Sequence, residues 1–184
     1  MSFFDKIVAT ITPPESDETR LDARARARAE TEPGHWLSLV LDHHDQIEQA
    51  FADARSAATA EDRITAQKKL AVILTGHSNA EETVLYPEMA DHGHKTHAGL
   101  AYEEQAMTKV QLALLEKIDP MTQDFLDKLE HIRGAVTHHM YQEESSWLLD
   151  LKSELPPGRQ AVIAQRYREE IDRYLGTKTA DELA

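Results

Sequence analysis

The chain contains no cysteine. That absence excludes disulfide frameworks, thiolate zinc sites, iron–sulfur clusters and thiol nucleophiles, so any metal bound here must be held by nitrogen and oxygen. Glycine and proline are scarce, with seven of each in 184 residues, and no segment alternates Val, Ile or Thr with polar residues as a half-buried strand would. An all-α fold is what remains. No run approaches the roughly 20 apolar residues that cross a bilayer. The opening MSFFDKIVATITPPESDE also lacks a cationic leader, a long apolar core and a small-residue cleavage site. Both point to a cytoplasmic protein without a membrane partner. Basic residues are outnumbered: 20 Lys and Arg stand against 33 Asp and Glu, for a formal charge of −13. That balance argues against a nucleic acid partner, because phosphate binding depends on clustered cations. Acid favours cations instead, and the chain carries ten histidines.

The few Gly and Pro residues punctuate the helices. Pro33-Gly34 precedes a first helix whose Leu37, Val40, Leu41, Ile47 and Phe51 share one 3.6-period face. Thr59, with Asp62 three residues on, is a capping signal that opens a second helix, and Pro87 is expected to close it. A third helix runs over roughly 96 to 118. Asp119-Pro120 predicts an N-cap with proline at the first position of a fourth. Short connections make sequential helices antiparallel neighbours, so the expectation is an up-down-up-down antiparallel four-helix bundle over residues 35–152. Residues 1–34 form an N-terminal extension. In it Phe3, Phe4, Ile7, Val8 and Ile11 suggest a short amphipathic turn or two, and Arg20, Arg24 and Arg28 make a stripe expected to lie against the acidic bundle. Residues 153–184 hold a C-terminal helix ending near Gly176, expected to pack outside the bundle, and a tail.

Two helices carry the same pair of residues at i and i+4, which places an imidazole and a carboxylate on one face one turn apart: His77 with Glu81, and His139 with Glu143. Both pairs fall on otherwise apolar faces. An ionised carboxylate in a core costs several kcal/mol unless it is paired, protonated or bound to metal, so two such glutamates ask for a shared cation. The first helix adds His44 on its apolar face, 33 residues before His77; His43 is turned away by about 100°. An interval of 33 or 34 counted back from His139 reaches position 106 or 105, and 105 is Gln. His97 lies about 12 Å further along the axis and cannot substitute; with His92 and His94 it reads as a loop or cap residue. Glu104 is the better replacement ligand, and Tyr102 another candidate. Glu82 and Glu144, beside the motif glutamates, are candidate acceptors for ligand imidazole N–H groups. Trp147 and Phe51 read as packing residues, and His43 and His138 as helix-contact or solvent-facing residues.

The run of His44, His77-x-x-x-Glu81 within HSNAEETVLYP, and His139-x-x-x-Glu143 within HHMYQEE resembles the hemerythrin-like proteins, also called the HHE cation-binding domain. The resemblance covers residues 36 to about 151. It implies a four-helix bundle holding two non-haem irons, with His44, His77 and His139 as terminal ligands and Glu81 and Glu143 bridging; one iron, or zinc, is also compatible with the ligand types. The departure is Gln105, where the family pattern has a third-helix histidine, leaving the second metal short of a ligand. The expected function is binding or sensing of dioxygen or a related small molecule. A redox enzyme acting on peroxide or nitric oxide and a metal-storage bundle with one metal are the alternatives. The ferritin-like pattern, Glu-x-x-His at i and i+3, has the opposite order and a different spacing.

Overall fold

The computed structural model describes residues 15–175. Among them every regular element is helical. Helix α1 spans Asp17–Ala29 and α2 spans Trp36–Ser56. Helix α3 runs on through three stretches, Ala60–Ala80, Glu81–Leu85 and Tyr86–Asp91, and α4 spans Lys95–Leu115. Helix α5 is likewise continuous through Gln123–Gln142, Glu143–Trp147 and Leu148–Glu154, and α6 spans Pro157–Leu175. The amphipathic turn expected around Phe3 to Ile11, and Gly176, lie outside the described residues.

The helix starts are set by side chains that take up free backbone N–H groups. Thr59 accepts from the Asp62 amide at 3.1 Å, the cap expected for α3. Thr122, not Asp119, caps α5 by accepting from Phe125. Asp119-Pro120 instead forms the preceding turn: the Asp119 carboxylate accepts from the Met121 amide at 3.0 Å, and the Pro120 carbonyl accepts from Arg63 at 2.7 Å. Pro87 does not end α3 either. A π turn precedes it, in which the Tyr86 amide bonds to the Glu81 carbonyl five residues back. The widened turn lets the helix continue through a residue that has no N–H to give.

Two apolar clusters fill the core, one holding Trp36, Leu41, Val84, Met89, Leu148 and Tyr167, the other Ile47, Phe51, Leu74, Leu115, Phe125 and Met140. The candidate polar residues fall between them. On α2, His44 lies between Leu41 and Ile47; on α5, His139 and Glu143 lie between Val136 and Leu148.

The outer helices are tied in by charge. Arg24 of α1 is buried and bonds Glu144 on α5 at 2.8 Å and Asp45 and Glu48 on α2 at 2.8 and 3.1 Å. Arg28 pairs with Asp42 and Asp45, so two arginines of the stripe lie along acidic residues of the bundle, whereas Arg20 pairs with Asp17 of its own helix. Helix α6 packs along α2 and α3. Its Arg159 bonds the buried Glu88, and its Tyr167 is fully buried. Among the described residues no helix is long and apolar enough to cross a membrane.

Removing one partner of a buried ion pair leaves the other charge uncompensated. Arg24→Ala strips Glu144, 1% exposed, of its guanidinium. It is expected to lower unfolding free energy in urea by about 3 kcal/mol. Arg28→Ala, acting on a pair with exposed carboxylates, is expected to cost about 1 kcal/mol or less.

Candidate metal centre

Four ligand atoms, one each from His44 on α2, His77 and Glu81 on α3, and Glu143 on α5, lie within 4.8 Å of one another in the buried layer between the two apolar clusters. The two glutamates are fully buried. His77 Nε2 is 3.2 Å from Glu81 Oε2, and His44 Nε2 is 3.4 Å from Glu143 Oε2. His44 Nε2, His77 Nε2, Glu81 Oε1 and Glu143 Oε2 have no hydrogen-bond partner. Orphaned polar atoms are rare in native cores, and here four lie together on two imidazoles and two carboxylates. A cation held by these residues would supply the partner that such atoms lack.

The far nitrogen of each imidazole is anchored. His44 Nδ1 is 2.7 Å from Glu144 Oε1, which also accepts from Arg24. His77 Nδ1 is 3.2 Å from the Tyr167 hydroxyl. His139 Nδ1 is 2.8 Å from Glu104 Oε2. Such outer partners fix the tautomer and aim Nε2 at the ligand point.

The sequence-derived residues therefore divide. His44, His77, Glu81 and Glu143 converge. His139 stands beside them, its Nε2 at 3.4 Å from Glu143 Oε1. Glu104 is not among the converging groups; it backs the outer nitrogen of His139. Tyr102 bonds the Glu82 carbonyl and sets its ring edge-on to Tyr86 with centroids 5.1 Å apart. Glu144 serves an imidazole, whereas Glu82 pairs with Lys109 at 2.7 Å. His43 meets the Tyr167 hydroxyl at 3.0 Å and His138 meets Glu15. Gln105 faces the centre: its Nε2 donates to Glu81 Oε2 at 2.6 Å.

Two residues of the centre escaped the sequence reading. Tyr86 places its hydroxyl 3.1 Å from Glu81 Oε2, Glu143 Oε1 and His139 Nε2 alike. In a regular α-helix a residue five positions after Glu81 points about 140° away from it. The π turn over Glu81–Leu85 returns Tyr86 to the same side. Tyr167 comes from α6, outside the expected bundle, and no local periodicity marks it.

The metal-free electrostatics show what a cation would replace. Burial raises the Glu81 carboxyl, and the neighbouring Glu143 charge raises it further, to about 8. Burial alone would lower His44, but its contacts with Glu143 and Glu144 outweigh that and lift it to about 9. Burial also opposes ionisation of Glu143, yet His139 and His44 hold its carboxyl well below the usual range. His77, by contrast, is kept neutral by burial and by His44 beside it. Burial at His139 is likewise outweighed by Glu143 and Glu104, which raise it well above the usual imidazole range, so at neutral pH protons on His44, His139 and Glu81 offset the buried charge.

Residues 36–149 match the family described as hemerythrin HHE cation-binding domain. A relative described as a DNA nickase, from Nostoc sp., is 32% identical over 82 residues, which cover 45% of this chain and 23% of that protein. The chain thus spans less than a quarter of that relative's length. No solved structure matches.

Because ligands must shed their protons, metal uptake near pH 7 should release about two protons per ion, from His44 and Glu81, measurable by calorimetry in buffers of different ionisation heat. Both groups bind protons more tightly folded than unfolded. Metal-free stability should therefore fall as pH rises from 7 through about 9, the upper of the two shifted values. Stabilisation by metal should grow over the same interval. Glu144→Gln, which weakens the acceptor behind His44, is expected to lower metal affinity about 10–100-fold.

Proposed function

The chain belongs to the hemerythrin HHE cation-binding family, and from that premise we propose that it is a non-haem iron protein whose centre binds or senses dioxygen or a related small molecule. The observation that carries the reading is the set of four buried, partnerless atoms on His44, His77, Glu81 and Glu143. Mixed imidazole and carboxylate donors suit iron, manganese or zinc rather than magnesium or calcium. Family resemblance implies two irons, which His44, His77, His139, Glu81 and Glu143 would hold between them. Iron, when bound, supplies open coordination positions at which a small molecule reacts or rests.

The rest is done by the protein. Leu41, Ile47, Leu74 and Trp147 flank the polar layer and keep water from it. Glu144, Tyr167 and Glu104 orient the three imidazoles. The up-down-up-down arrangement of α2 to α5 belongs to this reading and is supported by the core: α2 and α4 pass from the first apolar cluster to the second along the chain, and α3 and α5 pass back. The links 57–59, 92–94 and 116–122 are short, as antiparallel neighbours require. A cytoplasmic setting without a membrane or nucleic acid partner fits the −13 charge. The nicking activity in the relative's description is not carried over, since the match spans 23% of that protein.

A second reading, redox turnover of peroxide or nitric oxide, is favoured by one observation: the Tyr86 hydroxyl lies 3.1 Å from both site carboxylates and so sets an O–H donor against the centre. The two readings separate in one experiment. Protein loaded with ferrous iron without oxygen is exposed to dioxygen, hydrogen peroxide or nitric oxide while its visible spectrum is followed. The expected result is an absorption change with dioxygen that reverses on its removal, and no change after His77→Ala. Consumption of peroxide or nitric oxide over many turnovers would favour the enzyme. Iron that answers to none of the three would leave a storage bundle.

A further inference from the structure

We propose that the centre takes one metal ion, in the half bounded by His44, His77, Glu81 and Glu143, and that the Tyr86 hydroxyl and the Gln105 carboxamide fill the half where a second ion would lie. The inference rests on the metal-binding reading above and concerns the count and position of the metal.

The hydrogen bonds divide the centre in two. Glu81 Oε2 accepts from Gln105 Nε2 at 2.6 Å and lies 3.1 Å from the Tyr86 hydroxyl. Glu143 Oε1 is 3.1 Å from the same hydroxyl and 3.4 Å from His139 Nε2. On that side each carboxylate oxygen already meets a protein donor. The other oxygens, Glu81 Oε1 and Glu143 Oε2, meet none, and neither do His44 Nε2 and His77 Nε2. Of the carboxylate oxygens and Nε2 atoms on these four residues, those without a partner are the ones that neither Tyr86 nor Gln105 meets.

The filled half is also unsuited to a second ion. A metal there would need His139 Nε2 and one oxygen from each glutamate at about 2.0–2.2 Å. Those three atoms instead surround the Tyr86 oxygen, each at 3.1 Å, an ordinary hydrogen-bond distance. Gln105 Nε2 closes the group, 2.5 Å from the hydroxyl and 3.5 Å from His139 Nε2. Its amide hydrogens repel a cation. The amide nitrogen is the end that faces the centre, donating to Glu81 Oε2 and to the hydroxyl. Chain chemistry explains the asymmetry. Gln105, 34 residues before His139 where His44 is 33 before His77, stands at the position expected for a third-helix histidine, and the second motif has the apolar Leu148 where the first has Tyr86, five residues past its glutamate.

The test loads the full chain with ferrous iron under nitrogen, removes excess, counts iron per chain, then oxidises the sample and records its electron paramagnetic resonance. One iron per chain with the signal of an isolated high-spin ferric ion is expected. His44→Ala should then bring the count to none, where a two-iron centre would keep one. Tyr86→Phe with Gln105→His should raise the count to two and replace the isolated signal by that of a coupled pair; a circular dichroism melt checks that this variant folds, and Gln105→His alone serves if it does not. Two irons per wild-type chain, or a ferric phenolate absorption band lost in Tyr86→Phe, would overturn the proposal while leaving the metal-binding reading intact. No uptake of iron, zinc or manganese would overturn both. A double variant that folds yet stays at one iron would refute the roles given to Tyr86 and Gln105.

Discussion

Two carboxylates, Glu81 and Glu143, are held side by side where neither has any exposure to water. That is the constraint on which the rest of the structure turns. Desolvation of two like charges amounts to several kcal/mol for each ion, and no packing of apolar neighbours reduces it. Compensation has to be positive and local. In the metal-free protein it comes from protons: neighbouring carboxylates hold them on His44 and His139 against burial, and burial itself keeps Glu81 protonated. A metal ion offers the same compensation with fixed geometry and reaches atoms that protons leave unpartnered.

Around this pair, parts of the chain outside the four site-bearing helices acquire a role. Each imidazole is oriented through its outer nitrogen by a different element. For His44 the route is Glu144 and then Arg24, which ties α1 to the centre. For His77 it is the hydroxyl of Tyr167 on α6, and for His139 the carboxylate of Glu104 on α4. Arg24 and Tyr167 are therefore more than clasps for peripheral helices. They limit rotation of the rings whose Nε2 atoms must converge, and metal affinity depends on such limits as much as on ligand identity.

How much of this could be read from the residues follows from the range of each interaction. The helices α2 to α6, the cap at Thr59 and the placing of His44, His77, Glu81, His139 and Glu143 on apolar faces rest on periodicity and nearby side chains, which the sequence displays directly. The stripe of Arg20, Arg24 and Arg28 was readable as an electrostatic face, but not the selection of Arg24 to meet Glu144. Pro87 and Asp119-Pro120 misled because both were judged by rules for regular α-helix. In one case a π turn removed the need for the missing N–H; in the other the Asx turn at Asp119 moved the cap to Thr122. Tyr167 was out of reach because its partner, His77, is 90 residues away.

The two π turns show which feature of the chain sets the centre's shape. They begin at equivalent places, Glu81 and Glu143, each the glutamate of a His-x-x-x-Glu pair, and close with equivalent bonds, Tyr86 to Glu81 and Leu148 to Glu143. Proline follows only the first, so proline is not their cause. The common element is a buried glutamate that must reach a shared point while its helix still covers an apolar core on both sides. A π turn meets both demands, because one extra residue in the turn shifts the register of everything beyond it. Having done so, it returns the residue five places on to the side of the centre. In α5 that residue is Leu148, which extends the apolar cluster. In α3 it is Tyr86, whose hydroxyl enters the polar layer instead. One backbone device, repeated in two helices, thus brings a hydroxyl into the polar layer in α3 and an apolar side chain to the core in α5, and the difference is a matter of side-chain chemistry rather than of fold.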